Sequence, residues 1–181
     1  MNIAEPYASL SRMLDYPVGK EGLTNDVAVV SAFLEKQKLD CAIDSFAGFV
    51  AASPLAAVQE AYVATFDFNP ATAPYLGHHL FGDNQKKGGY MIGLKQEYAR
   101  HGFTPTNNEL PDHLSMVLAF LAHLAREDRD GTRQPFIVKS VLPGLERLST
   151  VFADRRDCPW QPLVEAARLL CAADGKEVTP C

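Results

Sequence analysis

The devices that usually announce a catalytic or metal-binding protein are nearly all missing from this sequence of 181 residues. It has no HExxH, no GxSxG, no phosphate-cradling glycine loop and no Cys, His and Asp set at a recognisable spacing, which argues against an enzyme. Its four cysteines, Cys41, Cys158, Cys171 and Cys181, stand too far apart for a CxxC site or a dense disulfide framework, so reduced thiols are expected. The adjacent His78 and His79 suit neither a shared helical face nor the i, i+4 spacing of a zinc helix, so neither a metal nor a cofactor is expected. Basic residues are the minority, 17 against 22 acidic; the resulting charge of −5 disfavours nucleic acid as a partner and favours a basic one. No apolar run approaches the roughly twenty residues that a membrane span needs. No positively charged leader followed by an apolar run opens the chain, so a cytoplasmic protein without direct membrane insertion is expected.

What is present is helical periodicity. Sustained apolar alternation of the kind strands need is absent, and 47% hydrophobic residues can fill one sizeable core, so the reading is all-α and single-domain. The first helix begins near Pro6, with Tyr7, Leu10, Met13 and Leu14 on one face, and stops before Pro17. Thr24 and Asp40 are candidate caps of a second and third helix, and Ser53 with Pro54 reads as an N-cap and N1 pair for a fourth that carries Val58, Tyr62 and Phe66. A fifth helix, about Lys86 to Arg100, ends at His101 and Gly102, with Phe103 as the apolar residue of a glycine C-cap. After a charged turn, EDRDGTR, a long helix from about Gln134 to Phe152 should kink at Pro143 and Gly144. The last helix starts around Trp160 to Pro162, and residues 174–181 read as a frayed tail, leaving 1–173 as the domain.

The chain is organised around Asn107 to Ala125. Leu110, Leu114, Val117, Leu118, Leu121 and Leu124 share one side of a helix there, extended by His113, Met116, Phe120 and His123. Only Ser115, Ala119, Ala122 and Arg126 form a polar or small strip, as expected of a central bundle member. Pro111 fits a first turn, which makes Asn108 the expected cap and sets Glu109 and Asp112 at the positive end of the helix dipole. The segment from Asp67 to Lys87 reads as the longest irregular piece. It contains too many aromatic and aliphatic residues, among them Phe68, Tyr75, Leu76, Leu80 and Phe81, to remain solvated, so it should lie on the bundle as part of a binding surface.

The run ELPDHL, Glu109 to Leu114, resembles the Pro-Asp-His signature of the TorD/DmsD/NarJ family of chaperones for molybdenum enzymes. YVATFDFNPATAPYLGHHLFGD, Tyr62 to Asp83, is similar to that family's tyrosine-containing helix and following loop. YASLSRMLDYP, Tyr7 to Pro17, is similar to the opening helix of the nitrate reductase delta-subunit branch. The resemblance implies a TorD-like helical bundle that catalyses nothing. It implies binding of the apo catalytic (alpha) subunit of respiratory nitrate reductase, including an N-terminal segment that resembles a twin-arginine leader, during molybdenum cofactor and iron–sulfur insertion. It also implies proteins of molybdenum cofactor biosynthesis as a further class of partner. The candidate client-binding residues are Tyr62, Phe66, Asp67, Tyr75, Leu76 and Phe81, with Glu109, Leu110, Pro111, Asp112 and His113. In this arrangement Asp112 and His113 form the polar rim of an apolar groove that takes an amphipathic helix. A chaperone for another twin-arginine-type molybdoenzyme, and a permanently retained regulatory or interaction subunit, stay open as alternatives.

Overall fold

A computed structural model describes residues 3–105 and 108–176. Among these the chain is all-α, with no strand, and folds as a single bundle. Its helices are α1 (Ala4–Met13), α2 (Leu23–Lys36), α3 (Asp44–Ala52), α4 (Leu55–Phe66), α5 (Leu76–Phe81), α6 (Lys86–Arg100), α7 (Leu114–Arg126), α8 (Asp130–Phe136), α9 (Leu142–Ala153) and α10 (Gln161–Gly175). A 3₁₀ turn, Pro70–Thr72, precedes α5, and a π segment, Ile137–Val141, joins α8 to α9.

The central helix is α7. Leu114, Val117, Leu118, Phe120, Leu121 and Leu124 are fully buried, and Ser115, Met116 and Ala122 nearly so. At about 1.5 to 3 kcal/mol for each large aliphatic side chain withdrawn from water, this helix anchors the core. Helix α1 lies along it, and the small residues Ser115, Ala119 and Ala122 allow that close approach; the Ser11 hydroxyl donates to the Ser115 carbonyl across the contact at 2.7 Å. A second focus is Trp160, at the entry to α10. Its ring meets Phe46, Phe49, Tyr62 and Phe66 with centroids 5.5 to 6.0 Å away, and its Nε1–H donates to the Met13 carbonyl at 3.2 Å. One residue therefore fastens α10 to α1, α3 and α4.

Several boundaries differ from the sequence reading. Helix α7 begins at Leu114, not after Asn108, so neither Asn108 nor Pro111 serves as cap or N1, and Leu110 lies outside the helix, where it is 48% exposed. The reason is backbone competition. Leu76 N–H donates to the Asp112 carbonyl (3.0 Å) and Leu114 N–H to the Pro74 carbonyl (2.7 Å), so His113 is held extended against Tyr75 and the helix starts only after it. Asn107 itself lies outside the described residues. Helix α2 starts at Leu23 and α3 at Asp44, with no side-chain cap from Thr24 or Asp40, and Pro54 rather than Ser53 occupies the N-cap of α4. The piece from Asp67 to Lys87 is not irregular throughout, since it holds the 3₁₀ turn and α5.

The long helix also begins earlier, at Asp130, and its irregularity falls at the π segment rather than at Gly144. Pro135 and Pro143 flank that segment and cannot donate backbone hydrogen bonds, and Tyr90 OH donates to the Ser140 carbonyl within it at 2.7 Å. Finally, residues 174–176 are not a frayed tail. Asp174 is buried on α10, accepts from Arg133 Nε and Nη2 at 2.8 and 2.9 Å, and accepts from Tyr7 OH at 2.8 Å. Burial pushes the Tyr7 phenol up, which keeps the proton that it donates. The rest of the expected tail, 177–181, lies outside the described residues. The glycine C-cap of α6 is as read: Gly102 has φ +67°, and Phe103 N–H donates to the Tyr98 carbonyl at 2.9 Å.

Candidate functional site

The two segments that carry the motif residues lie side by side, joined by the isolated bridge between Tyr75 and His113. Asp112 stands at the centre of this junction. Its Oδ2 accepts from the Gly77 N–H at 3.0 Å, and a Cβ on residue 77 would come within 2.7 Å of that oxygen and 3.1 Å of the Tyr90 ring, so the position requires glycine. Asp112 is fully buried, and its Oδ1 has no hydrogen-bond partner among the described residues. Burial raises the Asp112 pKa, opposed by the Gly77 N–H and the charge of Lys87.

His113 is the N-cap of α7. The Ser115 N–H (3.2 Å) and the Ser115 hydroxyl (2.8 Å) both meet its Nδ1, which therefore acts as acceptor and leaves the ring proton of the neutral form on Nε2. Burial lowers the pKa of His113, against the opposite pull of Glu109, Asp15, Asp112 and Asp67. Its ring meets the edge of Tyr75 at 5.2 Å. Tyr75 OH donates to Glu109 Oε2 at 3.1 Å, and burial followed by the Glu109 charge pushes the phenol up to about 12. Pro111 is buried, and its carbonyl accepts from Tyr98 OH at 2.6 Å.

The expected rim is therefore displaced. Asp112 and His113, read as the polar edge of a groove, lie beneath the surface, where they hold α5 and α7 in place. Tyr62, Phe66 and Leu76 are buried as well and form the floor under this region. Tyr62 is packed against Phe66 (4.8 Å) and Trp160, with its OH directed to the Leu14 carbonyl at 3.4 Å, and burial raises its phenol pKa strongly. Phe81 stands apart, half-buried against Tyr90 at 5.7 Å. The surface members of the expected set are Asp67, Glu109 and Leu110.

Sequence reasoning placed Phe68 on the binding surface but left out Tyr16 and Val18 beside it. Tyr16 packs edge-on to Tyr62 at 5.6 Å while remaining 43% exposed; Val18 and Phe68 are 87% and 82% exposed. Between Tyr16 and Phe68 lies an open depression of about 370 Å³, lined also by Gln59, Glu60, Val63 and Ala64. The available signal was the presence of large apolar residues in two helix breaks, after α1 and after α4, where no periodic face accounts for them. Asp15 and Asp67 adjoin Tyr16 and Phe68 in the chain, and with Glu109 they act electrostatically on Tyr62 and His113. Among the described residues no group of three or more His, Cys, Asp or Glu side chains could hold a metal ion, and no helix is long and apolar enough to cross a membrane.

The model of a family described as nitrate reductase delta subunit matches residues 34–165. A Bacillus subtilis protein named as a probable nitrate reductase molybdenum cofactor assembly chaperone, NarJ, is 28% identical over 152 residues, covering 82% of each chain. The NarJ chaperone of Escherichia coli K12 is 36% identical over 70 residues, which are 39% of this chain and 30% of that relative. Among solved structures, a protein from Archaeoglobus fulgidus described as a redox enzyme maturation protein superposes with a TM-score of 0.55 at 17% identity, covering 97% of this chain and 93% of that one, a likeness of fold.

Proposed function

The chain belongs to the nitrate reductase delta subunit family, and on that premise we propose that it is an assembly chaperone for the apo catalytic subunit of respiratory nitrate reductase. In this reading it acts in the cytoplasm, binds the client at its N-terminal segment, and holds it while iron–sulfur centres and the molybdenum cofactor are inserted. It catalyses no reaction. The names of its relatives support assembly of nitrate reductase as the process.

The observation that carries the mode of binding is the exposed apolar patch of Tyr16, Val18 and Phe68 beside Asp15, Glu60 and Asp67. Isolated exposed apolar side chains are ordinary, but large ones flanking a depression mark an interaction surface. An amphipathic, basic helix supplies the complement: aliphatic anchors seat between Tyr16 and Phe68, and its cations meet the carboxylates. The motif residues Asp112 and His113 act indirectly here, by fixing α5 and the entry of α7 beneath the patch.

The test is co-purification from cells unable to make the molybdenum cofactor. The tagged chain should retain the apo catalytic subunit, and an excess of peptide matching the client's N-terminal segment should release it. Retention of the finished, cofactor-loaded complex alone would overturn the chaperone reading in favour of a permanent subunit.

A further inference from the structure

The depression between Tyr16 and Phe68 is one of three that adjoin each other around the end of α1. Tyr16 also lines a second, again about 370 Å³, whose walls include Asp15, Val18, Glu21 and Asp26. Arg12 lines the second and a third, about 430 Å³, which has a floor of Ala8, Ser11, Ala119 and Ala122 between α1 and α7. Phe103, His123 and Arg126 complete the third.

The charge changes sign along this series. The first depression is apolar, with Glu60 as its charged member. The second sets three carboxylates against the single guanidinium of Arg12, and that group is engaged with Asp26 through Nε–H donation to Oδ2 at 3.0 Å. The third has no carboxylate in its lining, and its cations are Arg126 and the same Arg12 that is engaged with Asp26. Arg126 reaches Glu5 at 3.3 Å, but both side chains are half-exposed, so this pair is weak and can exchange for another carboxylate.

Resting on the chaperone reading of the Tyr16 face, we propose that the three depressions form one groove for a single client segment whose charge reverses along its length. Aliphatic anchors occupy the first depression, basic residues face the second, and acidic residues reach Arg126 in the third. Shared walls at Tyr16 and Arg12 make the series continuous, and charge order fixes the direction in which the segment lies, because like charges brought together in the wrong direction are repelled.

The experiment is a calorimetric titration with three synthetic amphipathic helices that share a Leu stripe and a Lys face. One carries two Glu at its N-terminal end, one carries them at its C-terminal end, and one carries Gln at both places. One Glu-bearing peptide should bind about twofold to fivefold more tightly than the Gln peptide at low salt, a gain of the size an exposed pair provides. That gain should vanish in Arg126→Gln, whose thermal melt should match the wild type because the residue is half-exposed. Equal binding of all three peptides, or a gain that survives Arg126→Gln, would overturn the charge-graded groove and leave the chaperone reading standing. Failure of all three to bind would overturn both.

Discussion

Gly77 and Asp112 meet across the two motif segments, the Gly77 N–H on the Asp112 Oδ2 at 3.0 Å, and the same closeness leaves no room for a side chain at residue 77. A Cβ there would meet the carboxylate at 2.7 Å and the Tyr90 ring at 3.1 Å. Gly77→Ala should therefore destabilise the fold by about 1 to 3 kcal/mol, the usual cost of overpacking. Gly48→Ala is the control, since nothing lies within 4 Å of the added methyl on α3, and it should stabilise by about 0.5 to 1 kcal/mol through helix propensity. Urea denaturation of the two variants checks both signs.

Asp112 gives a pH signature. Its folded-state pKa is raised by burial, so between the ordinary carboxylate value and that raised value the folded protein holds a proton that the unfolded chain has lost. Stability contributed by the protonated form is complete below the unfolded pKa and declines as pH rises through the folded one. The wild type should lose stability relative to Asp112→Asn over that interval, and the difference between the two denaturation curves against pH isolates the group from Glu165, whose pKa moves down through its Arg168 hydrogen bond. A difference that grows in the opposite direction would show that the carboxylate is held ionised.

Asp174 provides a test of where the domain ends. It is 5% exposed and accepts from Arg133 and Tyr7, so Asp174→Ala leaves a buried phenol without its acceptor and a buried guanidinium with Asp130 as its one remaining carboxylate partner. The expected loss is about 3 to 5 kcal/mol, and a chain ending at Ala173 should lose at least as much. A truncated chain that melts with the wild type would restore the tail reading of 174–176.

Helical class, the identity of α7 as the central helix and the glycine end of α6 could be read from the sequence, because periodicity and cap chemistry are local. The start of α7 could not. It depends on 112–114 giving its backbone groups to 74–76, nearly forty residues away in the chain, and no local preference of Asn108 or Pro111 reports that. The same limit hid the role of Asp174, since its partners Arg133 and Tyr7 lie 41 and 167 residues distant. For the candidate site, resemblance singled out two segments that the structure brings together, but placed their polar residues on the surface. Which side of a motif faces water is set by what packs above it, and here Tyr16 covers Tyr62 from a helix break that carries no periodic signal.

Binding by the Tyr16 and Phe68 patch is most directly tested by pairing a thermal melt with a calorimetric titration of a synthetic peptide matching the client's N-terminal segment. Wild type should bind with a negative heat-capacity change, as apolar burial requires. Phe68 is 82% exposed, so Phe68→Ser should change stability by less than about 0.5 kcal/mol while weakening the peptide at least about tenfold, the effect of removing a central aromatic anchor. Leu118→Ala is the opposite control: Leu118 is fully buried, and its truncation should cost about 2 to 5 kcal/mol while leaving the affinity of the folded fraction unchanged. Peptide affinity in Phe68→Ser equal to that of the wild type would contradict the assignment of this face as the client-binding surface.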